Sequence, residues 1–135
     1  MSFIYNLFEL LGRILITLMF LQSGAGKIGS YGSTAKYMQS HGVPGMLLPA
    51  VIALEIAGSL AIILGYKARF FAFLLAGFCI LAPLLFHLNF SDRTQAIMFM
   101  KDISIAGGFL IIFARGAGAI SLDGRLTRTS SGKRR

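Results

Sequence analysis

The sequence predicts an all-α integral membrane protein, a four-helix bundle with a short interfacial helix between the first and second spans. Three observations predict this fold class: 56% of the residues are hydrophobic, only 13% are charged, and the mean hydropathy is +0.75. Soluble domains carry about a quarter charged residues, because a core needs a polar cover. The apolar residues also occur in long runs, and about 20 such residues cross the hydrocarbon layer of a bilayer.

Four apolar runs supply the predicted membrane spans. They cover residues 7–24, 46–65, 70–88 and 96–114. Each span is predicted to be helical, because backbone groups in lipid need hydrogen-bond partners within their own segment. Residues 115–135 are predicted to form a basic cytoplasmic tail beside anionic lipid.

A short helix at the membrane interface is predicted between the first two spans. Ser33 is placed to cap its start, and Gly42 followed by Pro44 ends it. Tyr31 and Tyr37 are expected at headgroup depth, where tyrosine is enriched.

The net charge of +8 comes from an uneven distribution of Lys and Arg. Cytoplasmic loops carry an excess of these residues, so the distribution predicts that both termini are cytoplasmic. In that orientation the inner side would hold eight basic residues: Lys67, Arg69, Arg115, Arg125, Arg128, Lys133, Arg134 and Arg135. The outer side would hold Lys27, Lys36 and Arg93. The chain is too apolar to include a nucleic-acid recognition domain, and the lipid bilayer is its predicted partner.

The first span carries polar and small residues along one face, which is expected to point into the bundle. This stripe consists of Glu9, Arg13, Thr17, Phe20, Gly24 and Lys27. Glu55 lies near the middle of the second span, about 15 Å from its cytoplasmic end, and Arg13 lies at a similar depth. We therefore predict an intramembrane polar pair between Arg13 and Glu55. The alternative to a functional role is that the pair only neutralises charge and fixes helix register.

A second polar group is predicted near the outer face. This outer polar cluster consists of Lys27, His87, Lys101 and Asp102, which come from three spans but lie at similar depth. It could bind an anion or a quinone head group, or relay protons. The alternative is that the two lysines snorkel to the headgroups, with Asp102 as their counter-ion.

The sequence contains no motif for a resident cofactor, a metal or a catalytic centre. Residues 24–29 match the pattern GxGxxG, but they follow a membrane helix rather than a strand, which argues against nucleotide binding. The single cysteine, Cys79, is predicted to be a packing residue. Quinone is the one cofactor that the outer polar cluster suggests.

These charged positions resemble those of the DoxX family of small bacterial membrane proteins. The resemblance extends over nearly the whole chain. The matching residues are Leu11-Gly12-Arg13, the run from Phe20 to Lys27, Thr34 to Met38 with Gly42-Val43-Pro44, Leu54-Glu55, Phe86-His87, Phe99 to Asp102, Ala106 to Gly108 and Ile120 to Asp123.

The resemblance implies a multi-pass protein of the bacterial inner (plasma) membrane. The family takes its name from a subunit of a thiosulfate:quinone oxidoreductase, and other members are associated with membrane redox complexes. One departure is Asp102, because relatives usually have Asn after the lysine. The added negative charge weakens the transfer of an anion-binding role to this chain.

Three functions remain open from the sequence. The first is a non-catalytic or quinone-associated subunit of a membrane redox complex, with a redox enzyme or a second copy of the chain as partner. In this case the chain would not be an enzyme on its own. The second is a small proton-coupled transporter using Glu55. The third is a structural membrane assembly protein.

Overall fold

A computed structural model describes residues 3–126 as a bundle of α-helices. The helices are α1 (Phe3–Gly29), α2 (Tyr31–Ser40), α3 (Leu48–Leu64), α4 (Ala68–Phe86) and α5 (Arg93–Arg115), and a 3₁₀ turn at Gly45–Leu47 precedes α3. In this part of the chain, four helices are long and apolar enough to cross a membrane: α1, α3 with its preceding turn, α4 and α5. The predicted all-α, four-span fold class is therefore confirmed.

Local sequence signals explain where several helices begin and end. Pro49 lies in the first turn of α3, where a missing backbone N–H costs no intrahelical hydrogen bond. Gly65 ends the same helix with a left-handed backbone (φ 74°), a conformation that suits glycine. Asp92 caps α5, because its side chain accepts a hydrogen bond from the Thr94 backbone N at 3.0 Å.

The helix predicted between the first two spans is α2, which contacts α1, α3 and, through its aromatic side chains, the end of α4. The predicted cap was wrong: Ser30 precedes the helix, and the Ser33 hydroxyl instead donates to the Ser30 carbonyl at 3.1 Å. The ring of Tyr37 stacks on Phe86 at the end of α4, with centroids 5.5 Å apart. Met38 is buried. The helix α2 therefore covers one end of the bundle, and Met38 is its one buried residue.

The spanning helices are packed on three sides and more loosely joined on the fourth. The helix α1 packs on α3, α3 on α4, and α4 on α5, whereas α1 and α5 approach each other less closely. Side chains still meet across that fourth side, since the rings of Phe20 and Phe109 have centroids 5.5 Å apart in an edge-on contact. The central core consists of Phe20, Ile62, Ala72, Leu75, Ala76, Cys79, Ala106 and Phe109.

Residues 116–126, the first part of the predicted tail, fold back against one end of the bundle. The Asp123 carboxylate accepts hydrogen bonds from the backbone N of Lys67 (2.8 Å) and of Ala68 (2.9 Å), at the start of α4. The Asp123 backbone N donates to the Gly65 carbonyl at 2.9 Å. We call this end of the bundle the tail end and the opposite one the α2 end. The basic residues Arg128, Lys133, Arg134 and Arg135 lie outside the described residues.

We predict that Gly24→Ala lowers the melting temperature of the purified protein. A Cβ at Gly24 would lie 2.6 Å from Ile56 Cγ1 and 3.3 Å from Glu55 Cβ on α3, so the Ile56 side chain or the two helices would have to shift. Overpacking of this kind costs about 1–3 kcal/mol. Gly26→Ala on the same helix is the control, since a Cβ there meets no atom within 4 Å. Equal melting temperatures of the two variants would contradict this close approach.

Candidate functional site

A cavity of about 290 Å³ lies at the α2 end, and all five helices contribute to its walls. We call it the α2-end cavity. The four residues of the outer polar cluster and Glu55 all line it. Its remaining walls are mostly apolar and include the aromatic side chains of Phe20, Phe78 and Phe86. Apolar walls with a few convergent polar groups are typical of binding sites for small molecules.

An ion pair between α1 and α3 includes Glu55, the most buried polar residue of the cavity lining. The Lys27 ammonium donates hydrogen bonds to Glu55 Oε1 and to the Ser23 hydroxyl, the latter at 3.0 Å. The Glu55 side chain is 1% exposed and that of Lys27 is 25% exposed. Gly24 lets the two helices approach here, which brings the lysine within reach of the carboxylate. A buried carboxylate needs such a partner, because its desolvation is costly.

The predicted pair between Arg13 and Glu55 is wrong for the described residues, because each side chain has other partners. The Arg13 guanidinium donates to the carbonyls of Ile62 (2.9 Å), Ile63 (3.1 Å) and Ile120. It therefore contacts the C-terminal end of α3, where carbonyls lack partners within the helix. Arg13 and Glu55 were placed at the same depth by counting residues from the helix ends. The helices differ in length, since α1 has 27 residues and α3 has 17, so equal counts do not place the two side chains opposite each other.

The outer polar cluster comes together as a group around the cavity. His87 follows α4, and its Nε2 lies 4.0 Å from Oδ2 of Asp102 on α5, with both side chains 19% exposed. Lys101 directly precedes Asp102 on α5 and is more exposed. The cavity thus has one acid–base pair formed by Lys27 with Glu55 and another formed by His87 with Asp102. Whether the cluster binds a ligand stays a prediction.

Two buried polar atoms on the cavity walls have no hydrogen-bond partner within residues 3–126. They are Glu55 Oε2 and His87 Nδ1. An unpartnered polar atom in a buried position costs about 1–3 kcal/mol. The cavity therefore favours an occupant that offers hydrogen bonds to these atoms.

Sequence reasoning missed several residues that complete the site. Ser23 lies one turn before Lys27 on the polar stripe of α1, so its spacing could have identified it. Thr34 and Tyr37 enter from α2, and nothing in the sequence indicated that this helix would cover the cavity. In the described part of the chain, no three His, Cys, Asp or Glu side chains come together in a way that could hold a metal ion.

These features define a class: small four-span helical proteins with a charged cavity closed at one end by a short helix. The family model named DoxX matches residues 8–88, and the chain belongs to the DoxX family. It is 45% identical to the inner membrane protein YqjF of Escherichia coli, over 88% of this chain and 92% of that protein. It is 36% identical to the E. coli inner membrane protein YphA, over 86% and 88% respectively. No solved structure matches this chain.

We predict that Lys27→Met and Glu55→Gln have non-additive effects on stability. Breaking a fully buried ion pair costs about 3–5 kcal/mol, and less is expected here because Lys27 is partly exposed. The Lys27→Met variant leaves the carboxylate unpaired, so adding Glu55→Gln should restore part of the lost melting temperature. The matched control is Arg13→Met combined with Glu55→Gln, whose effects should add. Additivity in the Lys27 cycle would contradict the pair.

Proposed function

We propose that this protein is a bacterial inner-membrane subunit that binds a quinone head group in the α2-end cavity and serves a membrane redox complex. The observation that carries the proposal is the combination of apolar aromatic walls with the two acid–base pairs, Lys27 with Glu55 and His87 with Asp102. Membership of a family associated with redox complexes supports the same conclusion.

The chemistry of a quinone matches the groups that the cavity offers. Its ring is flat and apolar, so it suits a space beside Phe20, Phe78 and Phe86. Its carbonyls accept hydrogen bonds, and Lys27, Lys101 and a protonated His87 nitrogen are donors. The hydroxyl of the reduced form donates, and Glu55 Oε2 is an acceptor in need of a donor. Electrons would come from a partner enzyme.

Proton-coupled transport remains a second candidate function because of one specific observation. A further cavity lies at the tail end, and the contact of Phe20 with Phe109 lies between it and the α2-end cavity. In such a protein Glu55 would carry the proton, and its free Oε2 is the atom available for protonation. A structural assembly role without any ligand is the outcome expected if the α2-end cavity binds nothing.

We predict that the purified protein binds the short-chain quinone decylubiquinone, and that His87→Gln and Lys101→Met weaken the binding. The loss of one hydrogen bond should raise the dissociation constant about two- to tenfold. Equilibrium dialysis measures the binding, and thermal melting verifies that each variant is folded. Ser104→Ala is the control, because Ser104 is an exposed polar residue of α5 outside the cavity lining. Equal binding by all variants would exclude this site.

We also propose that the tail end lies in the cytoplasm, as the excess of Lys and Arg at that end favours. In this orientation, the α2-end cavity lies near the outer leaflet. A quinone bound there would meet a redox partner on the outer side of the membrane.

We predict that, in intact cells, an impermeant thiol reagent labels Ser33→Cys but not Leu126→Cys. Both positions are exposed on the protein, so a difference in labelling would show which side of the membrane each position faces. Cys79 is buried and is replaced by serine in both variants to remove the background. Permeabilised cells, in which both cysteines should react, serve as the control. Labelling of Leu126→Cys alone would reverse the proposed orientation.

A further inference from the structure

A second cavity, of about 450 Å³, lies at the tail end along the loosely packed side between α1 and α5. We call it the tail-end cavity. Its walls come from α1, from the C-terminal half of α5 and from Gly116 and Ala117. None of its lining residues belongs to the α2-end cavity or to the outer polar cluster.

The polar lining of the tail-end cavity carries an excess of positive charge. Arg13 and Arg115 supply two positive charges, and Glu9 supplies one negative charge, so one positive charge remains. Arg13 is 3% exposed, and its Nε has no hydrogen-bond partner within residues 3–126, whereas its terminal nitrogens bind carbonyls. Arg115 is the last residue of α5 and is exposed. For the lining residues themselves, one monovalent anion would balance this charge; the Asp123 carboxylate, outside the lining, also attracts Arg13 but is hydrogen-bonded to the backbone at the start of α4.

The rest of the lining forms an apolar slot between the two helices. Ile16, Ile111 and Ile112 supply its hydrophobic surface, and Ile111 is 66% exposed. The slot remains open at Gly12, where an added Cβ would meet no atom within 4 Å. Because the surrounding helices are long enough to span a membrane, this exposed apolar surface faces hydrocarbon.

We infer that the tail-end cavity is a binding site for an anionic phospholipid, with its phosphate beside Arg115 and Arg13 and one acyl chain along the slot. A phosphodiester carries the single negative charge that the lining lacks, and arginine is well suited to bind it. A free phosphate ion would leave the apolar slot unfilled, and a neutral lipid would leave the charge unbalanced. This site is independent of the quinone proposal, because the two cavities share no residue.

The test measures lipid binding to the full chain purified in detergent. Native mass spectrometry counts retained lipid during titration with dioleoyl phosphatidylglycerol or with dioleoyl phosphatidylcholine, which has the same acyl chains. We expect the anionic lipid to be retained preferentially. Arg115→Gln should weaken its apparent affinity about fivefold, as expected for one basic residue at a membrane surface. Arg93→Gln, at the other end of α5, is the matched control and should bind normally.

A second pair of variants tests the slot without changing charge. Gly12→Leu should fill the slot and abolish retention of the anionic lipid. Gly77→Leu is its control, because Gly77 is exposed on α4 and a Cβ there also meets open space. Equal retention of both lipids by the wild type, or normal binding by Arg115→Gln, would overturn the proposal. Displacement of the lipid by millimolar inorganic phosphate would also overturn it, by indicating a site for free anions.

Discussion

The ion pair between Lys27 and Glu55 is the interaction on which the arrangement of this bundle depends. A carboxylate that is 1% exposed inside a set of apolar helices needs a cation, and only a close approach of α1 and α3 provides one. Gly24 permits that approach and fixes which turns of the two helices are opposite each other. The position of the α2-end cavity follows, because both charged side chains form its inner wall.

Arg13 fixes the same two helices at the other end by a different physical means. Its guanidinium contacts backbone carbonyls where α3 ends, a place that favours a cation both by hydrogen bonding and by the helix dipole. The same side chain also contacts the Ile120 carbonyl, which joins the returning C-terminal segment to the bundle. Asp123 then caps the start of α4. The polar side chains at the tail end thus compensate backbone groups that the helices leave without partners.

The sequence was sufficient to predict which residues face inward but insufficient to predict their partners. The middle of the stripe on α1 does face inward, since Arg13, Thr17, Phe20 and Gly24 are all buried, whereas Glu9 at its start is exposed and Lys27 at its end is partly exposed. The helical periodicity of a single segment is enough to predict which of its residues face inward. The partner of Glu55 depends instead on the axial position of α1 relative to α3, and contacts between the two helices determine that position. The role of α2 as a cover was unpredictable for the same reason, because it depends on packing against Phe86 at the end of α4.

The loose contact between α1 and α5 would let both proposed ligands, the quinone and the phospholipid, enter their cavities from the bilayer. Both cavities have walls from α1 and α5, and the contact of Phe20 with Phe109 lies between them. A quinone and a phospholipid both keep a long apolar part in the bilayer while a polar head group seeks hydrogen bonds or charge. Such molecules enter most directly between helices that are not tightly packed. The tight packing of α1 on α3, which the buried ion pair requires, leaves the opposite side of α1 available for that entry.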